Sequence, residues 1–232
     1  MPRTAEQTAQ TRRRILAEAV RSLRGGGARA VRVTQVMHDA GLTHGGFYAH
    51  FPSREALLGE AVAQLAAESH VVKVLSRHPE KPARALADFL EHYLSTAHCE
   101  RQPGACPLPI LLPEADELAP EARATTLGLV SRLTDMLGEI LDDLGRASPR
   151  TDATRLLAEA IGLITLTRAE PDRSLREEHL TRARENLWAA YGDLRLTPAD
   201  GDAASNPHPP PPEGQSPPGS NAIDDRLDWA ER

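Results

Sequence analysis

A chain of 232 residues, 40% hydrophobic and 26% charged, is long enough to bury a substantial core and has the balance of an ordinary globular protein. Two cysteines exclude the disulfide framework of a small secreted domain. No run nears the roughly 20 apolar residues that span a bilayer, and the N-terminus lacks the apolar stretch of a signal peptide, so the expected location is the cytoplasm, without a membrane partner. Charge is uneven: residues 1–54 carry nine Arg against Glu6, Glu18 and Asp39, a net +6 that leaves −12 for the remainder of a chain whose total is −6. A basic front on an acidic protein is a footprint for a polyanion, DNA above all, although short basic stretches are often only solvated faces.

Aromatics are only 3% of the chain, so its core is built from Leu, Ala, Val and Ile, and the patterns along it are helical. Thr4 to Arg24 reads as the first helix. Thr4 and Gln7 form a capping box; Ile15, Leu16, Ala19, Val20 and Leu23 make the apolar stripe; Gly25, Gly26 and Gly27 stop it. Val33, Val36, Met37 and Ala40 share one face of a short second helix, which Gly41 ends. Thr43 is placed to cap a third short helix, from about His44 to His50. Pro52 breaks the chain and Ser53 caps a fourth helix bearing Leu57, Leu58, Ala61, Val62 and Leu65.

Beyond this, Leu86, Phe89, Leu90, Tyr93 and Leu94 make a stripe, and Ala97 to Pro113 reads as a proline-broken loop with at most one short helix. Three long helices follow: one through Leu127, Leu133, Leu137 and Leu141, a second over Pro149–Thr167, a third over Arg173–Tyr191. No alternating strand pattern competes, and no repeat is present. Residues 197–232 hold eight of the nineteen prolines and read as a disordered, acidic, Pro-rich tail. The expected fold is all-α: an N-terminal three-helix helix-turn-helix domain over 1–54, then a helical domain over 55–196, to which the resemblance described below assigns effector sensing and dimerisation, then the tail.

Two short helices meeting at a glycine turn are helix-turn-helix anatomy, in which the second helix lies in the major groove. The string Ala40-Gly41-Leu42-Thr43-His44-Gly45-Gly46-Phe47-Tyr48-Ala49-His50-Phe51, followed by Ser53-Arg54-Glu55-Ala56-Leu57, resembles the signature of the TetR family of regulators, in a subset with a Gly-Gly-Phe-Tyr-Ala-His-Phe recognition helix. The resemblance covers about residues 8–65. It implies a homodimer that reads a palindromic operator in double-stranded DNA. Thr43 would cap the recognition helix, His44, Gly45 and Gly46 would face the groove, and Tyr48 and His50 would touch phosphates or bases. Arg54 would bind phosphate with the start of the fourth helix, and Thr34 and Gln35 would touch backbone or base edge. Phe47 and Phe51 read as core. Arg32 stands where the family commonly has Ser or Thr capping the second helix.

For the sensor half the resemblance implies a cavity for an unknown small-molecule effector and a four-helix dimer interface made by the last two long helices. Cys99 and Cys106 are candidates for redox or electrophile sensing, against the plainer reading of idle thiols. Phe89, Tyr93, Leu111 and Leu137 are candidate pocket walls, against the reading of simple core. His92, His98, Cys99 and Cys106 fit no standard zinc spacing, so no metal is expected. No cofactor and no catalytic residue is expected either, because the glycines at 25–27 and 45–46 match no phosphate or dinucleotide loop and no nucleophile elbow occurs. The sequence therefore predicts a non-enzymatic, sequence-specific regulator, a repressor released by a small molecule or a thiol-reactive signal. A cavity-ligand sensor with no role for the cysteines, and a non-specific DNA-binding protein, stay open as alternatives.

Overall fold

The structure, a computed structural model, describes residues 4–192, and every regular element among them is a helix. The Pro-rich tail expected over 197–232 lies outside the described residues. Helix α1 (Ala5–Gly26) opens on the expected capping box: Thr4 Oγ1 accepts from the Gln7 amide and Gln7 Oε1 accepts from the Thr4 amide. It runs through Gly25 and Gly26 and ends at Gly27, whose φ of 75° and ψ of −170° suit glycine alone. A 3-10 turn (Ala28–Ala30) leads into α2 (Val33–Asp39), and a second 3-10 helix (His44–Ala49) follows the Gly41 turn. Helix α3 (Arg54–Glu68) is capped as expected, with Ser53 Oγ accepting from the Ala56 amide at 3.1 Å.

The remaining body holds α4 (Val71–Leu75), α5 (Pro82–Tyr93), α6 (Thr96–Cys99), α7 (Leu108–Leu111), a 3-10 helix (Leu112–Glu117), α8 (Pro120–Asp143), α9 (Pro149–Arg168) and α10 (Arg173–Tyr191). The stretch expected as a proline-broken loop is helical at its two ends, while residues 100–107 between them stay outside any helix. Pro109 and Pro113 fall in the first turns of their helices, where a missing amide costs no hydrogen bond, so these prolines start helices rather than break them. Helix α4, five residues long, had no readable period.

Two apolar clusters hold the molecule together. The first joins Ile15, Ala19 and Leu23 of α1, Val36 and Met37 of α2, Phe47, Phe51 and the inner face of α3. The second joins α5, α8, α9 and α10 through residues such as Leu86, Phe89, Leu137, Leu157 and Leu187. The first cluster is completed by three residues far along the chain, Leu111, Leu118 and Ala122. Polar contacts pin the same segment to the first helices. The Ala28 amide donates to Glu114 Oε2 at 2.5 Å, and Arg29 pairs with Glu117, with Nε donating at 2.9 Å. Arg101 donates to the Gly25 carbonyl.

Candidate DNA-binding interface

Val33 to Ala49 makes two short helices joined by a turn that needs left-handed backbone, and Gly41 supplies it with φ 67°. The Leu42 amide closes the turn on the Met37 carbonyl at 2.8 Å. Arg32 holds the N-cap of α2 with extended backbone and no side-chain bond, which leaves its exposed guanidinium uncommitted. The segment His44–Ala49 is 3-10 rather than α: the Gly46 amide returns to the Thr43 carbonyl at 3.1 Å, a three-residue step. Paired glycines explain this, since neither favours a full α-turn.

The structure departs from expectation at Thr43. Thr43 occupies the N-cap position but its hydroxyl caps nothing, so the exposed Oγ1 is free for an outside acceptor. Thr34, Gln35, Thr43, His44, Gly45 and Tyr48 are all exposed, Gly46 is half-buried, and Tyr48 shows 68% of its surface. Gln35 has already given its amide nitrogen to Asp39 Oδ1 at 2.7 Å. Phe47 and Phe51 are core as expected, with their rings stacked at 5.9 Å and Tyr48 edge-on to Phe47 at 5.3 Å. Phe47 thus anchors the helix and leaves Tyr48, the next residue, pointing away from the core.

His50 is half-buried, and its carbonyl accepts from Arg12 Nε at 3.3 Å. Arg12, absent from the expected site, ties three elements: it bonds His50, pairs with Glu60 at 2.5 Å, and lies 4.4 Å over the Phe51 ring. Only a three-dimensional contact reveals that role. Arg54 differs from expectation. Its Nε donates to the Val31 carbonyl at 2.9 Å and its Nη2 to the Ala28 carbonyl at 2.6 Å, so the guanidinium staples α3 to the chain entering α2. Arg54→Ala is expected to lower stability by about 1–3 kcal/mol, because two carbonyls lose a charged donor. Arg54→Lys should recover less than half of this, since an ammonium lacks the planar fork. Chemical denaturation of the three proteins checks it; equal stability for all would refute the staple.

In the sensor half both cysteines are buried. His98 sits between two carbonyls, with Nδ1 2.5 Å from the Tyr93 oxygen and Nε2 3.3 Å from that of Cys106. Arg168, at the end of α9, donates to the carbonyls of Cys99 at 2.9 Å and His98 at 3.1 Å. Burial pushes the Cys106 thiol up to about 11, although the start of α7 at Leu108, the side chains of Tyr93 and Ser69, and the Arg168 charge pull the other way. A reactive cysteine needs the opposite shift. The candidate pocket walls are core side chains. Phe89, Tyr93 and Leu137 lie fully buried in the second cluster and Leu111 in the first. With so few aromatics these side chains are needed as filling. Among the described residues, no three His, Cys, Asp or Glu side chains are placed to hold a metal ion, and no helix is long and apolar enough to cross a membrane.

Comparison with known proteins bears on the same segment. Residues 15–61 match the family described as bacterial regulatory proteins, tetR family. A comparison with curated protein sequences gives no match. Among solved structures, a TetR-family regulator from Agrobacterium tumefaciens is similar at TM-score 0.65 and 19% identity, over 77% of this chain and 98% of that one. A TetR regulator from Chloroflexus aurantiacus is similar at TM-score 0.64 and 22% identity, over 81% and 97%. The reduced form of NemR from Escherichia coli is similar at TM-score 0.61 and 16% identity, over 75% and 96%. Residues 15–61 are therefore a tetR-type helix-turn-helix segment, mounted on an all-helical body with the fold of solved TetR regulators.

Proposed function

We propose that this protein is a homodimeric, sequence-specific DNA-binding regulator, a repressor that leaves a palindromic operator when a small molecule binds its helical body. The observation that carries the reading is the 3-10 helix after the Gly41 turn, anchored by buried Phe47 while Tyr48, His44 and Thr43 face solvent within the matched segment. Dimerisation is supported by α9 and α10. Leu166 is 74% exposed, and a groove of about 520 Å³ between the two helices is lined by Leu163, Leu166, His179 and Ala183. A two-fold dimer sets two recognition helices against successive major grooves, roughly 34–36 Å apart.

The decisive experiment measures binding to the DNA upstream of its own gene against an unrelated fragment at fixed salt, beside a light-scattering mass. A dimer with clear preference for the upstream DNA supports the reading; equal binding with a steep salt slope favours a non-specific binder instead.

For the signal, the buried thiols favour a cavity ligand over an oxidant. Cys99 and Cys106 are expected to react with iodoacetamide at least about a hundredfold slower in the folded protein than in guanidinium, because both are buried from the reagent and the Cys106 thiol is also pushed up. Diamide should leave DNA binding unchanged. Rapid labelling of the native protein, with loss of DNA binding that reductant restores, would reinstate the thiol signal.

A further inference from the structure

A pocket of about 420 Å³ opens where the end of α3 meets α4 and α8. Small and apolar residues, Ala67 of α3 with Gly128 and Leu129 of α8, line it and leave the space. Two cations also line it from different helices, Lys73 of α4 and Arg132 of α8. Neither makes a hydrogen bond or ion pair with the described residues. Some arginines of this half are committed: Arg146 to Asp152, Arg168 to the carbonyls of Cys99 and His98, Arg184 to the Leu94 carbonyl. Arg77, Arg150 and Arg155 are as uncommitted as Arg132 but do not share this pocket with a second free cation. Two uncommitted cations lining one concavity of an acidic protein are a local reversal of its charge.

A third feature belongs to the same wall. Ser69, directly after α3, is 4% exposed, and its Oγ is buried with no hydrogen-bond partner. Its polar neighbour is the Cys106 thiol. An orphaned hydroxyl carries a desolvation penalty that an acceptor in the pocket would relieve.

We infer that this pocket binds a small amphiphilic anion, an apolar body bearing a carboxylate or a phosphate, with Lys73 and Arg132 on the head group and Ser69 donating from the wall. Its regulatory meaning rests on the regulator reading above. Helix α3 begins at the DNA-binding end, held by Ser53 and by Arg54 on the Val31 and Ala28 carbonyls, and ends at this pocket. An occupant therefore touches the helix to which the helix-turn-helix is stapled. It shifts DNA affinity to the extent that it prefers one position of that helix.

The test is calorimetric titration of the full chain with octanoate and with phenyl phosphate, against octylammonium and octanol at one ionic strength. The expected result is binding of at least one anion and of neither control. Octanoate alone identifies a carboxylate ligand, phenyl phosphate alone a phosphate ligand. The double variant Lys73→Gln/Arg132→Gln should weaken binding about tenfold or more. Gly128→Leu should abolish it while preserving the helical circular dichroism, because a Cβ at Gly128 meets nothing within 4 Å and the added side chain fills the pocket. Failure of both anions to bind, octanol binding as well as octanoate, or unchanged affinity in the double variant overturns the inference. Binding to the upstream DNA, measured on the same preparation, separates the two readings. DNA preference without anion binding sinks the pocket alone, and anion binding without DNA preference sinks the regulator alone.

Discussion

Tyr48→Ala is expected to lower affinity for the operator roughly thirtyfold while leaving the unfolding midpoint unchanged. The tyrosine is 68% exposed, and its ring rests only edge-on against Phe47. Surface positions of this kind shift stability by less than about 0.5 kcal/mol. A contact to phosphate or base contributes about 1 kcal/mol or more, and a dimer uses it twice, so about 2 kcal/mol is lost, near a factor of thirty. Fluorescence anisotropy on the upstream fragment, with thermal melts in parallel, reads both quantities. Unchanged affinity would remove Tyr48 from the interface, and a lowered midpoint would show that its role is packing.

The neighbouring residue should behave in the opposite way. Phe47 is completely buried, stacks on Phe51, and shares a cluster with Met37 and Leu57. Phe47→Ala removes the ring and leaves a void, at a cost of about 3–5 kcal/mol. For a chain of this size that lowers the melting midpoint by roughly 10 °C. DNA binding falls too, but through loss of the docked helix, so it should recover in part on cooling or with stabilising osmolyte, whereas Tyr48→Ala should not recover. A midpoint within about 2 °C of the parent would contradict the burial seen here.

The difference between these two positions was legible in the sequence, and its reason shows what such reading captures. Phe47 and Phe51 read as core from their apolar character within the motif, and local capping chemistry marked Thr4 with Gln7 and Ser53, because each capping partner lies within four residues. The staple made by Arg54 was not legible, for the converse reason. Its acceptors, the Val31 and Ala28 carbonyls, lie 23 and 26 residues away, and nothing local separates a staple from a phosphate contact. Thr43 was read as a cap because an α-helix was assumed to follow, and the Gly45-Gly46 pair bends that segment to 3-10 geometry instead. The pocket at Lys73 and Arg132 was invisible for the same reason as Arg54: its walls come from three helices spread over more than 60 residues.

The segment Leu111–Ala122 has a bearing on how portable the reading head is. Leu111, Leu118 and Ala122 fill the first cluster, and Glu114 and Glu117 hold Ala28 and Arg29. Residues 1–54 cut free would expose an apolar pit that their own sequence has no side chains to fill. A chimera that grafts them onto a foreign helical body would inherit a foreign lid, matched to neither the pit nor the Gly27 turn. Under the proposed function, exchange of specificity between such proteins is thus easier by rewriting the exposed positions Thr43, His44, Gly45 and Tyr48 in place, with Phe47 kept, than by shuffling whole segments.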